Sequence, residues 1–226
     1  MIRKNIFLIL IVCAILMLSA CGSNQNPEPV PIDFGFDFFP VEVGAFREYN
    51  VLQVDFLTAG PDTSRFFLRE AITDSIVNGE SISYILERST RMSMDDPWQL
   101  DSVWTTRVTN MEAIQVENNV PFVKLQFPVM ADDRWDVNAF NTRMEFFYNS
   151  RFIDTDTLDN VYEVVISDVI ARPVLQDQRS EFYARGIGLI RRDFINITFC
   201  QMDCNAAMEI MSGQVLDQRL IRFGNE

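Results

Sequence analysis

The sequence predicts an all-β fold with minor α content: one antiparallel curved sheet forming a half-barrel, barrel or sandwich within a single domain. Apolar and polar residues alternate in many segments of the 226-residue chain, as Ile82, Tyr84 and Leu86 do against Ser83 and Glu87. Such alternation is typical of strands with one buried face. Turn-forming residues separate the alternating segments at short intervals, and strands joined by short turns are antiparallel.

Ten segments carry this alternation and are predicted to be strands. They are residues 49–58, 65–77, 82–94, 98–109, 112–117, 122–127, 143–152, 161–170, 188–199 and 215–223. Asn78-Gly79 predicts a tight hairpin between two of them. Helical patterns are few, and they predict helices over 173–183 and near 205–211. Gly186 and Gly188, two residues apart, are expected on one face of a strand.

The first twenty residues have the layout of an export signal. Arg3 and Lys4 precede an apolar run over 6–18, and small residues follow at Ser19 and Ala20. A helix of that run would span roughly 20 Å, less than the ~30 Å hydrocarbon core of a bilayer. Residues 1–20 are therefore interpreted as a cleaved signal peptide.

The segment Leu18-Ser19-Ala20-Cys21 resembles the bacterial lipobox, the cleavage site of the lipoprotein signal peptidase. The resemblance implies that Cys21 becomes the first mature residue and carries a diacylglycerol, usually with an acylated amine. Two or three acyl chains hold a protein on a bilayer almost permanently. Cys21 is thus the lipid attachment site, residues 21–33 form a flexible proline-spaced tether, and 34–226 form one β-rich domain.

The net charge limits the partners of the mature chain. Removing residues 1–20 takes away two basic residues and no acidic one, so the formal charge of −13 becomes −15. Such a field repels phosphates of nucleic acid and anionic lipid headgroups as broad electrostatic partners. The predicted partners are the membrane, through acylated Cys21, and either an apolar ligand or an envelope protein, with no nucleic acid.

Cys200 and Cys204 are the remaining mature cysteines. In an oxidising compartment they could form a local disulfide, and free thiols or a two-thiolate metal site are the alternatives. A metal site would need further soft ligands, and the chain has no histidine. No metal and no cofactor is predicted.

The absence of histidine excludes Ser-His-Asp and Cys-His hydrolysis and imidazole acid–base catalysis. No catalytic residue is predicted. Two clusters of carboxylates are candidate sites. Asp132, Asp133 and Asp136 flank Trp135 in the sequence. Either these carboxylates bind a sugar as paired acids beside the aromatic ring, or the segment is a solvated loop. The acidic segment 154–160 is either a fragment of a calcium loop or a hairpin turn.

Adjacent aromatic residues bear on the shape of the sheet. Phe66 and Phe67, like Phe146 and Phe147, must point to opposite faces of a strand. Either both faces are buried, or one face lines an apolar ligand groove.

Three further segments together resemble an uncharacterised family of bacterial envelope lipoproteins. They are Phe39-Pro40-Val41-Glu42-Val43-Gly44 leading to Tyr49, Phe127-Pro128 with Trp135 and Asn138, and Tyr183-Ala184-Arg185-Gly186-Ile187-Gly188-Leu189-Ile190. The family often has an aromatic residue where this chain has Arg47. The resemblance implies fold and location but no activity. More distantly, the curved sheet is similar to half-barrel envelope proteins that carry lipoproteins or acyl chains.

These observations lead to the expectation of a non-enzymatic, lipid-anchored binding or interaction module of the cell envelope. Its predicted place is the outer membrane, facing the periplasm, and its curved sheet is a candidate site for an acyl chain or another apolar ligand. The alternative is a structural partner in an envelope protein complex. A carboxylate-based glycan hydrolase acting through Asp133 or Asp136 is the remote alternative.

Overall fold

The computed structural model describes residues 31–155, 157–202, 204, 206 and 208–226. Contacts divide the chain into two units, Met1–Asp33 and Phe34–Glu226, and the second unit is the β body. The predicted signal peptide, Cys21 and the tether up to residue 30 lie outside the described residues. Within the described part of the chain, no helix is long and apolar enough to span a bilayer.

The described residues of the body form one short 3-10 helix and twelve strands. They are η1 (Phe36–Phe38), β1 (Ala45–Leu57), β2 (Gly60–Asn78), β3 (Ser81–Arg91), β4 (Gln99–Val108), β5 (Glu112–Glu117), β6 (Val120–Gln126), β7 (Arg134–Asp136), β8 (Phe147–Ile153), β9 (Val161–Ala171), β10 (Leu175–Ala184), β11 (Gly188–Phe199) and β12 (Ile210–Asn225). The predicted hairpin is present, because Gly79 adopts φ +62° between β2 and β3.

All strands belong to one antiparallel sheet in the order β6-β5-β4-β3-β2-β1-β12-β11-β10-β9-β8-β7. Each strand therefore lies beside its neighbours in sequence, except that β6 and β7 are the two edges. The first and last strands pair over twelve positions, Ala45↔Asn225 to Phe56↔Gly213. The two edge strands approach each other where the Val123 amide donates to the Val137 carbonyl, at 3.0 Å. The result is a nearly closed, barrel-shaped sheet in an all-β domain, and the predicted fold class is confirmed.

The predicted helix over 173–183 is wrong, because this segment forms most of β10. Its residues include good helix formers, but pairing with β9 on one side and β11 on the other outweighs that local preference. Of the second predicted helix, 203, 205 and 207 lie outside the described residues, while Ile210 and Met211 begin β12. The prediction that Gly186 lies within a strand is also wrong, since it lies in the turn before β11.

Aromatic and aliphatic side chains fill the inside of the sheet at the end where β1 begins and β12 ends, here called the η1 end. Tyr49, Tyr162 and Tyr183 are at most 1% exposed, and Phe38 of η1 is fully buried against them. The ring centroids of Phe38 and Tyr162 lie 5.6 Å apart, so η1 places an aromatic side chain in the core at this end of the barrel. In the pair Phe66–Phe67, Phe66 packs against the same core, while Phe67 faces outward below Arg91.

Candidate functional site

The most buried charged group of the body is centred on Glu181 of β10. One carboxylate oxygen accepts hydrogen bonds from Lys124 Nζ at 3.0 Å and from Arg192 Nε at 3.0 Å. The other oxygen accepts the Tyr183 hydroxyl at 2.7 Å. Lys124 also reaches Glu117 at 3.5 Å. Strands β5, β6, β10 and β11 thus direct polar and charged side chains into the same interior space. We call these side chains the Glu181 cluster: Glu117, Lys124, Glu181, Tyr183 and Arg192.

In the Glu181 cluster, Lys124, Glu181 and Tyr183 are held firmly in their ordinary charge states. Burial alone would raise the pKa of Glu181, but Lys124 and Arg192 outweigh burial and lower it to about 2. Burial likewise opposes the charge of Lys124, yet Glu181 and Glu117 raise its pKa above the usual value. Burial and the Glu181 charge raise the pKa of Tyr183. None of these three groups is therefore tuned toward neutrality, where a general acid or base works best.

The cavity beside the Glu181 cluster is small. It has a volume of about 20 Å³ and is lined by residues including Glu70, Gln115, Lys124, Leu189 and Arg192. A single water molecule needs at least about 10–15 Å³ of such volume. The cavity therefore accommodates a water molecule but neither a sugar nor an acyl chain, and an apolar ligand cannot occupy the barrel at this position.

A larger hollow lies where β11 and β12 separate at the η1 end. The ladder between these strands starts at Arg191↔Arg219, although β11 begins three residues earlier. Past Arg219, β12 continues against β1, with Leu220 opposite Tyr49. The divergence opens a groove of about 520 Å³. We call it the β11–β12 fork, and its apolar lining residues are Leu158, Ile187, Ile190, Leu220, Ile221 and Phe223.

The lining of the fork is apolar and accessible to solvent. Leu158, Ile221 and Phe223 are 37%, 45% and 53% exposed. A second hollow, of about 440 Å³, shares Leu158 and Ile187 with the fork and extends past Phe152. Volumes of this order are typical of small-molecule sites, which span about 300–1,000 Å³.

Arginines line the rim of the fork. Arg191 forms an ion pair with Asp193, and Arg219 pairs with both Asp193 and Asp217. Arg222 is 64% exposed at its side chain and lies 3.9 Å from Glu48, which is longer than a hydrogen bond.

The structure places the predicted acidic loop in a structural role. Trp135 is 5% exposed, and its indole N–H donates to the Val123 carbonyl at 3.0 Å, so its ring is no platform for a sugar. Asp136 accepts hydrogen bonds from the Asn138 and Phe146 amides at 3.0 and 2.9 Å. Burial raises the pKa of Asp133.

The other predicted site residues lie apart from the Glu181 cluster. In the acidic segment 154–160, Asp154 accepts a hydrogen bond from the Asn160 amide at 3.0 Å, as in a turn. Within the described residues, no group of three or more cysteine or acidic side chains is arranged to hold a metal ion. Cys200 and Cys204 are joined by a disulfide, with their Cα atoms 5.8 Å apart.

Sequence reasoning missed the Glu181 cluster and the fork. Lys124 occupies a polar position in an alternating strand, and such a position normally faces solvent. It is buried because β10 and β11 present Glu181 and Arg192 to it across the barrel. The one signal for the fork is the spacing of Gly186 and Gly188, both with positive φ, around the turn where β11 starts.

This chain has low similarity to known proteins. No family model and no curated protein matches the chain. A crystallised protein of Bacteroides fragilis, named as an exported protein with a YmcC-like fold, aligns with a TM-score of 0.41 and 12% identity. A Parabacteroides distasonis protein, named as a lipoprotein, aligns with a TM-score of 0.38 and 11% identity. Each alignment covers 86% of this chain and all of the other, and similarity this low carries no argument about function.

Proposed function

We propose that this protein is a lipid-anchored, non-enzymatic binding module of the bacterial cell envelope. Cys21 fastens it to the outer membrane on the periplasmic side, and the β body binds an apolar ligand outside the barrel interior. The observation that carries the binding role is the β11–β12 fork, an open apolar groove of about 520 Å³.

The state of the interior supports a role without catalysis. The charged side chains of the Glu181 cluster form ion pairs with one another, and the cavity beside them has a volume of only about 20 Å³. The histidine-free composition removes the commonest general base. Both features favour binding over turnover.

The anchor is tested by metabolic labelling with radioactive palmitate in a bacterial host that processes lipoproteins. The wild-type chain is expected to incorporate label, and Cys21→Ser is expected to incorporate none. Cys200→Ser is the matched control, because it removes a mature cysteine elsewhere and should keep the label. A labelled Cys21→Ser protein would show that the proposed attachment is wrong.

A further inference from the structure

We propose that the β11–β12 fork binds an anionic phospholipid of the membrane on which the protein is anchored, with the acyl chain along the apolar lining and the phosphate at the arginine rim. This inference rests on the proposed function and deepens it, because it names the ligand class and its site.

The separation of β11 from β12 supplies room for an acyl chain. From Arg191↔Arg219 to Phe199↔Ile210 the two strands are paired. Beyond Arg191↔Arg219, toward the η1 end, Ile190 and Ile221 line opposite sides of an open groove. The adjoining hollow past Phe152 lengthens the apolar path. Burying an acyl chain against such a lining removes apolar surface from water, which favours binding.

The charges around the fork suit an anionic headgroup. Five arginines line the rim or its neighbouring outer surface, and four carboxylates lie among them. The arginines are Arg69, Arg91, Arg191, Arg219 and Arg222, and the carboxylates are Glu48, Asp193, Asp217 and Glu226. Within the described residues, the lining of the fork itself holds three of these arginines, Arg191, Arg219 and Arg222, and no carboxylate, although Asp159 lines the adjoining hollow.

Two arginines have donors suitable for a phosphate. Arg222 keeps a long 3.9 Å separation from Glu48, and that buried carboxylate is shared with Arg69 and Arg91. Arg191 lines the fork with its side chain 41% exposed, and one of its terminal nitrogens pairs with Asp193. Arginine is well suited to phosphate because its planar fork of donors can bind two oxygens at once.

The position of the fork brings it within reach of the membrane. It lies at the η1 end of the body, where the chain enters from residue 33, and Cys21 is thirteen residues before Phe34. At about 3.1 Å per residue, a segment of that length extends at most ~40 Å. An anchored body therefore stays close enough for a bilayer lipid to enter the fork.

The test uses the full mature chain carrying Cys21→Ser, which separates fork binding from anchoring. It is mixed with vesicles of phosphatidylcholine alone or with 30% phosphatidylglycerol, about one third anionic lipid, a composition chosen to reveal the arginine contribution. We expect sedimentation with the anionic vesicles and little with the neutral ones. Arg191→Gln combined with Arg222→Gln should weaken this binding about tenfold or more, since two charge-assisted contacts are lost.

Matched controls and a mapping step identify the site. Arg65→Gln with Arg134→Gln changes the net charge equally at exposed positions outside the fork and should leave binding unchanged. Phosphatidylglycerol with a diazirine in its acyl chain should crosslink to peptides holding 187–190 and 220–223. Equal losses in the two double variants, crosslinks confined to other strands, or a protein strand found in the fork would each overturn the proposal. Palmitate labelling of Cys21 would still decide the anchor independently.

Discussion

At the scale of single residues, the interior of this protein depends on one carboxylate that serves three partners. Glu181 is 1% exposed and accepts hydrogen bonds from Lys124, Tyr183 and Arg192. Two cations and one carboxylate are therefore buried together, and Glu117 is the second, more exposed anion for Lys124. Such a group stabilises only when complete, because an unpaired buried charge costs several kcal/mol.

We predict that Glu181→Gln lowers the free energy of unfolding by about 3–5 kcal/mol, since Lys124 and Arg192 would both lose the buried carboxylate to which they are hydrogen-bonded. Glu117→Gln is the matched control. Its side chain is 24% exposed and lies 3.5 Å from Lys124, so we expect a loss below about 1 kcal/mol. Urea denaturation of both variants measures the difference. Equal losses would contradict a central role for Glu181.

At the scale of elements, β10 and the β11–β12 pair show how pairing overrides local preference. β10 forms because β9 and β11 present complementary edges to it, with Glu181 placed opposite Arg192. β12 approaches β11 closely where Gly213 stands opposite Ile197 with φ +131°. The same two strands separate at the other end to form the fork, so their pairing determines the groove.

We predict that Gly213→Ala destabilises the body by about 3 kcal/mol or more, because a Cβ there would lie 2.1 Å from the Asn196 carbonyl oxygen. Gly60→Ala is the control for backbone conformation alone. Gly60 has φ +114° with no heavy atom within 4 Å of the added Cβ, so its cost should be about 1–2 kcal/mol. Thermal unfolding compares the two variants. A Gly213→Ala protein as stable as Gly60→Ala would show that β12 can shift away from β11.

At the scale of the whole molecule, closure of the sheet is uneven. β1 and β12 join the two halves of the chain over twelve paired positions. At the opposite side, the seam between β6 and the segment around β7 includes the Val123–Val137 backbone bond and the Trp135 and Asn141 side-chain bonds to β6 carbonyls.

We predict that this seam opens before the β1–β12 pairing, because local opening follows the number of hydrogen bonds that must break. Hydrogen exchange followed by mass spectrometry should show peptides of β6 and β7 exchanging at least about tenfold faster than peptides of β1 and β12. Trp135→Phe removes one seam bond and should accelerate exchange in β6 further. Uniform protection around the barrel would argue against a weak seam.

The sequence by itself determined the all-β class and the short-turn antiparallel connectivity, because alternation and turn chemistry are local properties of the chain. It also supplied the lipobox at Cys21 and the charge and composition on which the proposed function depends. Only the tertiary structure decided that 173–183 is a strand, that Lys124 and Glu181 meet inside the barrel, and that β11 and β12 separate into a groove. Those features arise from contacts between residues far apart in the chain, as with the 57 positions between Lys124 and Glu181. A local sequence pattern does not specify which distant strand will lie opposite a given strand in the folded protein.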